Sequence, residues 1–577
     1  MIKRLAGCVR QYKKASILTP IFMVLEVTME VIVPLLMARL IDYGIDKGDM
    51  GYITKMGVVL VIACLMSLSF GALSGKFAAI ASAGFAKNLR HDMYYNVQNF
   101  SFSNIDKFST ASIVTRLTTD VTNLQNSYQM IIRIAVRAPM ILLFSLIMAF
   151  TINARLGCIF LLAIPILGGG LFFIIKNVHP IFERVFRTYD KLNNVVQENL
   201  HGIRVVKSFV REDVEEDKFK KISKEIYSDF TKAEGTLAFN GPLMQFTMYL
   251  CMILIAWFGA RMIVAGNFTT GELMSLITYA MQILMGLMML SMVFVMIIMS
   301  RASAERIVEI LDEQSDLANG ENPIHEVKDG SITFENVNFS YAKRKDKLCL
   351  KNIDINIKSG ETIGIIGGTG SSKSSFVQLI PRLYDVTEGR VTVGGIDVRD
   401  YDIESLRNEV AMVLQKNVLF SGTIKENLRW GDENASDEEL IRVCKLAQAH
   451  DFVAAFPEGY DTYIEQGGTN VSGGQKQRLC IARALLKKPK ILILDDSTSA
   501  VDTKTDALIR KAFSEEIPDT TKIIIAQRVS SIEHADKIIV LDNGKINGVG
   551  THEELLATNP IYQEVYTSQT KGGEDNE

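Results

Sequence analysis

Six long apolar segments in the first 300 residues exclude most soluble folds for this part of the chain. Each is longer than the roughly 20 residues that a helix needs to cross the hydrocarbon core of a bilayer. A backbone inside a bilayer must satisfy its own hydrogen bonds, so these segments are predicted to be transmembrane helices. They run near residues 16–41, 54–81, 130–152, 156–177, 242–265 and 271–299.

Two long polar stretches interrupt this series, at about 82–128 and 180–238. Both are far too long for simple turns, and they are predicted to extend the neighbouring helices well beyond the membrane on the cytoplasmic side. The remaining links, at about 42–53, 153–155 and 266–270, are short and are expected to face outside.

The orientation follows from the basic start of the chain, because positive residues favour the cytoplasmic side. No short apolar core with a clear cleavage site precedes the first span, so no signal peptide is predicted and the first span is expected to direct targeting. We therefore predict a multi-pass protein of the cell membrane with a cytoplasmic N-terminus. The basic residues before the first span are Lys3, Arg4, Arg10, Lys13 and Lys14.

Composition supports two kinds of domain in the 577 residues. The chain is 48% hydrophobic with a mean hydropathy of +0.17, which is high for a soluble protein of this size. Its second half alternates strands, helices and charges like a soluble α/β domain. The net charge of −3 gives no sign of a nucleic-acid partner. The seven cysteines have no spacing typical of a metal or disulfide site.

A phosphate-binding loop opens the soluble half. The stretch Glu361–Gly367 is predicted to be a strand that enters a glycine turn, and an amphipathic helix follows, as the motif G-x-x-x-x-G-K-[ST] requires. Backbone N–H groups and the helix N-terminus would hold phosphates, Lys373 would neutralise them and Ser374 would ligate Mg²⁺. Ser372 replaces the second glycine, so nucleotide binding is expected to survive in weakened form. The predicted nucleotide-binding residues of this loop are Gly367, Gly368, Thr369, Gly370, Ser371, Ser372, Lys373, Ser374 and Ser375.

Two further motifs follow in order, Val471–Gln475 and the apolar strand Ile491–Leu494 that ends in Asp495 and Asp496. Together with the phosphate loop they resemble the Walker A, signature and Walker B motifs of ATP-binding cassette (ABC) proteins. The resemblance covers essentially the whole chain, in the order of an exporter with spans and cassette fused.

The resemblance implies roles for further residues. Tyr341 would stack on adenine. Gln415 would sense Mg²⁺ and the γ-phosphate, and Ser374, Gln415 and Asp495 would bind the metal. Residues 499–502 resemble the D-loop, with Asp502 as its acidic residue.

In this family two cassettes sandwich two ATP molecules, and each ATP also contacts the other chain's signature. The signature residues here would thus contact ATP held by a partner chain. They are Ser472, Gly473, Gly474 and Gln475.

Two positions depart from the family pattern. Asp496 stands where a glutamate usually orients the attacking water, and it is about 1.5 Å shorter, while about 1 Å of misplacement can cost on the order of 100-fold in rate. Gln527 stands where a histidine usually contacts the γ-phosphate, and glutamine cannot carry positive charge. The pattern resembles the degenerate-site subunit of bacterial heterodimeric ABC exporters. The alternative is a homodimer in which Asp496 works slowly.

Two polar stretches are candidates for short coupling helices on a cassette, as the resemblance implies. One is Asp106–Ser112 and the other is Arg187–Lys191, whose tip in this family crosses to the partner's cassette. The alternative for both is an ordinary solvated helical turn.

The membrane half offers two features of a substrate path. Glu26 and Glu30 lie one helical turn apart inside the first span, either as an acidic patch for cationic substrates or as structural carboxylates bonded to neighbouring helices. Methionines in the sixth span recur at spacings of three or four, which suits either a promiscuous apolar pocket or ordinary packing. The candidate cavity residues in that span are Met281, Met285, Met288 and Met292, and Met296 and Met299 continue the stripe.

The predicted fold is an α-helical transmembrane domain with six spans fused to an α/β P-loop ABC nucleotide-binding domain. The predicted boundaries are 1–311 for the membrane domain, 312–330 for a linker, 331–570 for the cytoplasmic cassette and 571–577 for a disordered tail.

The predicted function is ATP- and Mg²⁺-dependent export of amphipathic or cationic compounds, in the lipid membrane, with a second, non-identical half-transporter and no nucleic acid. The alternatives are a lipid exporter or flippase, a homodimeric drug exporter, and a non-transporting ATP-gated regulator.

Overall fold

The computed structural model describes residues 1–496 and 501–574, without the side chains of residues 162, 164, 171, 175, 179, 186, 190, 291, 294, 295, 298, 299 and 571–574. The chain divides into two compact units. The membrane unit comprises Met1–Gln98 and Thr110–Glu313, and the cassette unit comprises Asn99–Ser109 and Gln314–Glu577.

Long helices build the membrane unit, and six of the described helical segments are long and apolar enough to cross a bilayer, as predicted. The longest, α3, has 49 residues and spans about 70 Å, more than twice a hydrocarbon core of about 30 Å. The helices up to residue 312 are α1 (Ile2–Gly7), α2 (Lys13–Leu40), α3 (Met50–Gln98), α4 (Phe102–Lys107), α5 (Thr110–Thr115), α6 (Val121–Ile152), α7 (Ala154–His201), α8 (Ile203–Ser208), α9 (Glu212–Leu237), α10 (Asn240–Val264) and α11 (Thr270–Asp312).

Polar contacts join α2 to α11 beside Pro34, which lies inside the continuous helix α2. Pro34 has no N–H, so the Glu30 carbonyl loses its helical donor, and Gln282 Nε2 donates to that carbonyl at 3.5 Å. The Tyr279 hydroxyl donates to the Val31 carbonyl at 2.7 Å, and buried Tyr279 fills the space between the two helices. The Glu30 carbonyl that the proline frees is thus satisfied by a neighbouring helix, as is usual inside a membrane.

The two stretches predicted to form short coupling helices differ from that prediction in the structure. The first stretch, 106–112, overlaps the short helix α4, which belongs to the cassette unit, but it includes only the last two residues of that helix. The second prediction was wrong, because residues 187–191 lie inside the continuous helix α7. No glycine or proline occurs between residues 181 and 201 to end that helix, and the chain turns only at Gly202, where the short helix α8 follows.

The cassette unit contains an antiparallel four-stranded sheet, ordered β2-β1-β4-β5, and a six-stranded sheet, ordered β12-β11-β3-β10-β9-β6. The six-stranded sheet is parallel except for the β11–β12 hairpin. Its strands β9 and β10 are buried along their whole length, as parallel strands covered on both faces are. The strands are β1 (Ile332–Phe339), β2 (Leu350–Ile357), β3 (Thr362–Ile366), β4 (Glu388–Val393), β5 (Ile396–Asp397), β6 (Val410–Val413), β7 (Gly422–Thr423), β8 (Tyr463–Ile464), β9 (Ile491–Asp495), β10 (Thr521–Ile525), β11 (Lys537–Asp542) and β12 (Lys545–Gly550).

Helices surround these sheets, and the two apolar cores of the cassette unit lie between sheets and helices. The predicted fold class, a helical transmembrane domain fused to an α/β nucleotide-binding domain, is confirmed. The helices are α12 (Lys373–Gln378), α13 (Ile403–Glu409), α14 (Ile424–Leu428), α15 (Asp437–Leu446), α16 (His450–Ala454), α17 (Gly473–Leu486), α18 (Thr503–Glu516), α19 (His552–Thr558) and α20 (Pro560–Glu574).

The ends of the predicted domains differ from the structure at two places. Residues 99–109 belong to the cassette unit although they lie inside the predicted membrane domain 1–311. Helix α20 extends to Glu574, so residues 571–574 of the predicted disordered tail 571–577 are helical, and 575–577 lie outside the described residues. Between the units, α11 ends at Asp312 and β1 begins at Ile332, on either side of the predicted linker.

Candidate functional site

The phosphate loop and the paired aspartates meet at the carboxyl ends of parallel strands. Strand β10 lies between β3 and β9, and it pairs Ile525 with Ile365 on one side and with Asp495 on the other. The loop that follows β3 therefore begins at the level where β9 ends. Ligands of open α/β sheets bind at such carboxyl ends. A Cβ at Gly367 would lie 2.1 Å from the Leu541 carbonyl oxygen, so only glycine fits where the loop begins.

Lys373 is held inside the loop by its own backbone. Its ammonium donates to the carbonyl oxygens of Gly367 at 2.9 Å and Gly368 at 3.0 Å, and Ser371 Oγ lies 3.5 Å away. Burial lowers the pKa of Lys373, while the nearby Asp495 and Asp496 act in the opposite direction. The loop thus places a cation where the motif predicts bound phosphate.

Ser372 adopts a left-handed backbone conformation, with φ +71° and ψ +28°. This is the position at which the motif normally has glycine, and Gly370 in the same loop also has a positive φ of +83°. A side chain in the left-handed region costs about 1–2 kcal/mol, because the Cβ approaches the following carbonyl oxygen. The predicted crowding at Ser372 is therefore a strain of the loop backbone itself.

Oxygen donors suited to Mg²⁺ lie beside the loop. Ser374 donates a side-chain hydrogen bond to Asp495, and burial raises the pKa of Asp495, while that bond and Lys373 lower it. Mg²⁺ prefers oxygen ligands and usually binds one or two carboxylates together with substrate phosphates. Among the described residues no group of three His, Cys, Asp or Glu side chains forms a metal site by itself. The Ser374 hydroxyl and the Asp495 carboxylate, together with phosphate oxygens of a bound nucleotide, are the oxygen donors that would fit Mg²⁺ here.

Two glutamine amides meet at Asp496. Its Oδ2 accepts from Gln527 Nε2 at 2.6 Å and from Gln415 Nε2 at 3.4 Å. Asp496 is buried, and its backbone φ is +50°. Burial raises the pKa of Asp496, while the bonds from Gln415 and Gln527 lower it. Sequence reasoning assigned Gln415 to the metal and missed its contact with Asp496, because the two residues are 81 positions apart.

A C-terminal residue that sequence reasoning missed supports the segment around Gln527. Gln569 on α20 donates from Nε2 to the Gln527 carbonyl at 2.8 Å, and its Oε1 accepts from the Val529 N–H at 2.9 Å. An exposed glutamine on an amphipathic helix carries no local signal for this contact. The last helix thus holds the backbone on both sides of residue 528.

The signature residues form the start of α17. Ser472 Oγ accepts from the Gln475 N–H at 3.3 Å, and Gln475 Oε1 accepts from the Ser472 N–H at 2.9 Å, which makes a capping box. Ser472 and Gly473 are exposed, and Gly474 is partly exposed. The signature therefore lies at an exposed helix N-terminus, and such N-termini bind anions.

The other predicted residues of the nucleotide site, Asp502 and Tyr341, also belong to the cassette unit. Asp502 caps α18 by accepting from the Thr505 N–H at 2.9 Å, and this bond lowers the pKa of Asp502. Ser499 and Ala500 of the predicted D-loop lie outside the described residues. The Tyr341 hydroxyl lies 2.8 Å from Ser375 Oγ, and the side chain of Tyr341 remains substantially exposed beside the phosphate loop.

The acidic pair in the membrane unit is paired with a cation of the same unit. Arg137 on α6 donates to Glu26 Oε1 at 2.7 Å and to Glu30 Oε2 at 2.7 Å. This contact supports the structural alternative, but one arginine faces two carboxylates, so the acidic patch for cationic substrates stays a prediction. Arg137 was missed, although an arginine inside the third apolar segment was a signal that could have found it.

The four cavity candidates of the predicted methionine stripe face away from the packed side of α11, Met296 is partly buried, and the side chain of Met299 lies outside the described residues. Four of its members are exposed in this chain, while Ile283 and Leu284 between them are buried. Exposure in a single chain fits a cavity, lipid or a partner equally well, so their role stays a prediction. The exposed members are Met281, Met285, Met288 and Met292.

Comparisons with known proteins agree with this geometry. Residues 16–305 match the family model described as ABC transporter transmembrane region, and residues 350–499 match the model described as ABC transporter.

Among curated relatives, the uncharacterized ABC transporter ATP-binding protein YfiB of Bacillus subtilis is 38% identical over 95% of each chain. The putative multidrug export ATP-binding/permease protein SAB1799c of Staphylococcus aureus is 32% identical over 99% of this chain and 100% of its own length. A solved bacterial Atm1-family ABC exporter with ATP bound superposes with a TM-score of 0.82 at 25% identity, over 97% of this chain and 99% of that one.

Proposed function

Since the chain belongs to the ABC transporter family, as an exporter chain that fuses the transmembrane and ATP-binding domains, we propose that it is one half of a heterodimer whose own Walker site hydrolyses ATP slowly. The protein is a multi-pass membrane protein with a cytoplasmic ABC domain. The observation that carries the proposal is the pair of glutamine amides that meet at Asp496.

The chemistry at Asp496 supports slow hydrolysis. The attacking water needs a carboxylate within hydrogen-bond reach, and aspartate ends one methylene short of the family's glutamate. In the structure this carboxylate accepts from Gln527 at 2.6 Å and from Gln415 at 3.4 Å, which occupies lone pairs that would orient a water. Neither amide carries a positive charge that could stabilise the γ-phosphate in the transition state.

ATP binding itself is supported by the loop, since Lys373 and the backbone N–H groups before α12 suit triphosphate oxygens. Ser374 and Asp495, with Gln415 by family resemblance, would hold Mg²⁺, which supplies neutralisation of the phosphate charge. This chain's residues thus bind and orient the nucleotide, while hydrolysis proceeds mainly at a site that the partner's Walker motifs and this chain's signature complete.

The need for a partner is supported by two surfaces. The exposed start of α17 carries an intact signature that makes its capping bonds within itself. The second surface is the apolar tip formed by α8 and the two residues after it, where Val205, Phe209 and Val210 are exposed to solvent. Val210 has φ +50°, a rare conformation for a β-branched residue, and such strain persists where function requires it. We propose that this apolar tip docks on the cassette of the second, non-identical half-transporter.

For the substrate we propose amphipathic small molecules. The exposed stripe Met281, Met285, Met288 and Met292 supports an adaptable apolar surface, and the Staphylococcus aureus relative is named a putative multidrug exporter. The support that Glu26 and Glu30 give to a preference for cations is weakened, because Arg137 pairs with both and offsets one of their two negative charges. Uptake of amphipathic dyes by inverted vesicles, compared with flipping of labelled lipids, separates drug export from lipid export.

The first experiment is the steady-state ATPase activity of this chain purified alone, compared with the chain co-expressed with the ABC transporter encoded beside it. We expect activity near zero alone and robust activity together. Within the pair, Asp496→Asn should change the rate by less than about twofold, whereas Lys-to-Ala replacement in the partner's phosphate loop should abolish it. In the pair with that disabled partner, the double substitution Asp496→Glu/Gln527→His should raise the residual ATPase rate at least about tenfold. A placement error of about 1 Å in the catalytic carboxylate is worth on the order of 100-fold in rate. Robust ATPase activity of the chain alone would contradict the heterodimer and support a working homodimer.

A further inference from the structure

Tyr384 connects the short helix α4 with the tyrosine expected to stack on adenine, and all of these residues lie in the cassette unit. Its hydroxyl donates to Asp106 Oδ2 at 2.7 Å. Its ring meets the Tyr341 ring edge-on, with centroids 5.0 Å apart and an interplanar angle of 88°. Phe102, at the other end of α4, lies 6.1 Å from the same ring. One aromatic side chain therefore contacts both elements.

A second connection joins the same two elements. Asp316 accepts a short hydrogen bond from Ser101, which caps α4, and forms an ion pair with Lys343 Nζ at 2.6 Å. Lys343 lies two residues after Tyr341, in a turn where its own φ is +54°. The loop 341–343 is thus tied to α4 at both of its ends, once through Tyr384 and once through Asp316.

Tyr341 has little freedom in this arrangement. Its ring packs edge-on against Phe339, with centroids 4.8 Å apart, as well as against Tyr384. Its hydroxyl lies 2.8 Å from Ser375 Oγ and 3.1 Å from Gln378 Oε1 on α12. Since 43% of the residue remains exposed, the ring keeps a surface on which a base can stack. Aromatic pairs of this geometry prefer the edge-to-face arrangement, so a shift of Tyr384 moves the preferred position of Tyr341.

We propose that Tyr384 is a positioning residue for adenine, through which docking of α4 and stacking of the base on Tyr341 stabilise each other. This inference rests on the proposed ATP site. Coupling between two sites is reciprocal, so a docked α4 strengthens ATP binding by the same factor by which bound ATP strengthens docking. Helix α4 lies in the chain between α3 and α5, in the first predicted cytoplasmic loop. Binding of adenine would therefore change the stability of this loop's contact with the rest of the cassette unit.

The test uses the full-length chain in lipid nanodiscs and compares binding of Mg·ATP with binding of Mg·tripolyphosphate, which occupies the phosphate loop without a base. Tyr384→Phe keeps the ring and removes the hydroxyl, and Asp106→Asn removes the charge of the acceptor. Each should weaken ATP binding by about five- to tenfold. This expected loss corresponds to the part of the free energy of one charge-assisted hydrogen bond that is transmitted to adenine binding. The double variant should be no weaker than either single variant, and tripolyphosphate binding should stay unchanged in all three.

A second readout follows hydrogen exchange of residues 99–109 in the same nanodiscs. ATP should slow exchange there in the unaltered chain, tripolyphosphate should not, and Tyr384→Phe should remove the effect. Equal losses for ATP and tripolyphosphate, additive losses in the double variant, or unaltered ATP binding by both single variants would each overturn the inference. Failure of the unaltered chain to bind ATP would instead contradict the proposed function. Because Asp106→Asn changes only an exposed side chain, it keeps the test decisive if Tyr384→Phe lowers the thermal midpoint.

Discussion

Removing Arg137 should destabilise the membrane unit, because this residue is the cation between two carboxylates inside a transmembrane helix. Its guanidinium lies 2.7 Å from Glu26 and 2.7 Å from Glu30, and the three side chains are 21%, 15% and 34% exposed, respectively. Arg137→Gln leaves two carboxylates one helical turn apart without a cation. Ionisable groups at membrane depth are costly unless they are paired.

The size of the effect follows from these distances. At 2.7 Å and an effective dielectric constant of about 20, each pair has a gross attraction of about 6 kcal/mol, of which desolvation cancels most. Loss of one partner from such a cluster costs about 3–5 kcal/mol, because the remaining charges stay uncompensated. For a unit of this size we expect the thermal midpoint to fall by about 5–10 °C.

The assay is the thermal midpoint of the full-length chain in detergent. The compensated variant Arg137→Gln/Glu26→Gln/Glu30→Gln carries no charges at the cluster and should come within about 1 kcal/mol of the unaltered chain. Arg133→Gln is the matched control, since Arg133 lies one turn earlier on α6 and has no ion pair among the residues that the structure describes. The control should leave the midpoint unchanged.

The result that would refute the pairing is a compensated variant as unstable as Arg137→Gln alone. Export of a cationic dye gives an independent reading of the same cluster. If the carboxylates bind cationic substrates, Glu30→Gln should abolish export of that dye while neutral dyes are still exported. Pairing with Arg137 predicts instead that Glu30→Gln affects both classes of dye alike.

Two further predictions concern the cassette unit. Ser372→Gly should raise its thermal midpoint by about 1–3 °C, because relief of about 1–2 kcal/mol of left-handed strain exceeds the cost of about 0.4–1 kcal/mol from glycine's freedom in the unfolded chain. Ser372→Ala keeps the Cβ and should show no gain, and a lower midpoint for the glycine variant would contradict the strain. Burial raises the pKa of Asp316, but bonds from Lys343, Ser101 and Ser103 outweigh it and hold the pKa at about 2, below the ordinary 3.8. Since this folded-state pKa is depressed, the stabilisation of α4 docking is complete above about pH 4 and is lost as the pH falls towards 2. Hydrogen exchange of residues 99–109, corrected for intrinsic rates, should rise over that interval and lose its pH dependence in Asp316→Asn.

Local patterns in the sequence predicted much of this protein. Six apolar segments predicted six spans, because length and hydropathy are properties of each segment alone. The phosphate loop, the signature and the Asp495–Asp496 pair were recognisable because each motif is a short run with a fixed backbone context. The wrong prediction of a short coupling helix at 187–191 has the same origin, since polar residues there resemble a loop tip although the helix continues to His201.

The fold class, the order of elements and the residue types at the nucleotide site could be predicted from local patterns, since these depend on neighbours along the chain. Which side chains meet depends on how the chain is packed. Arg137 reaches Glu26 across 111 positions and Tyr384 reaches Asp106 across 278 positions, and nothing local specifies such pairs. The left-handed backbone at Ser372 likewise depends on the strand, loop and helix that hold it. Charge pairing and backbone strain arise from packing in three dimensions, so they became visible only once the elements were assembled.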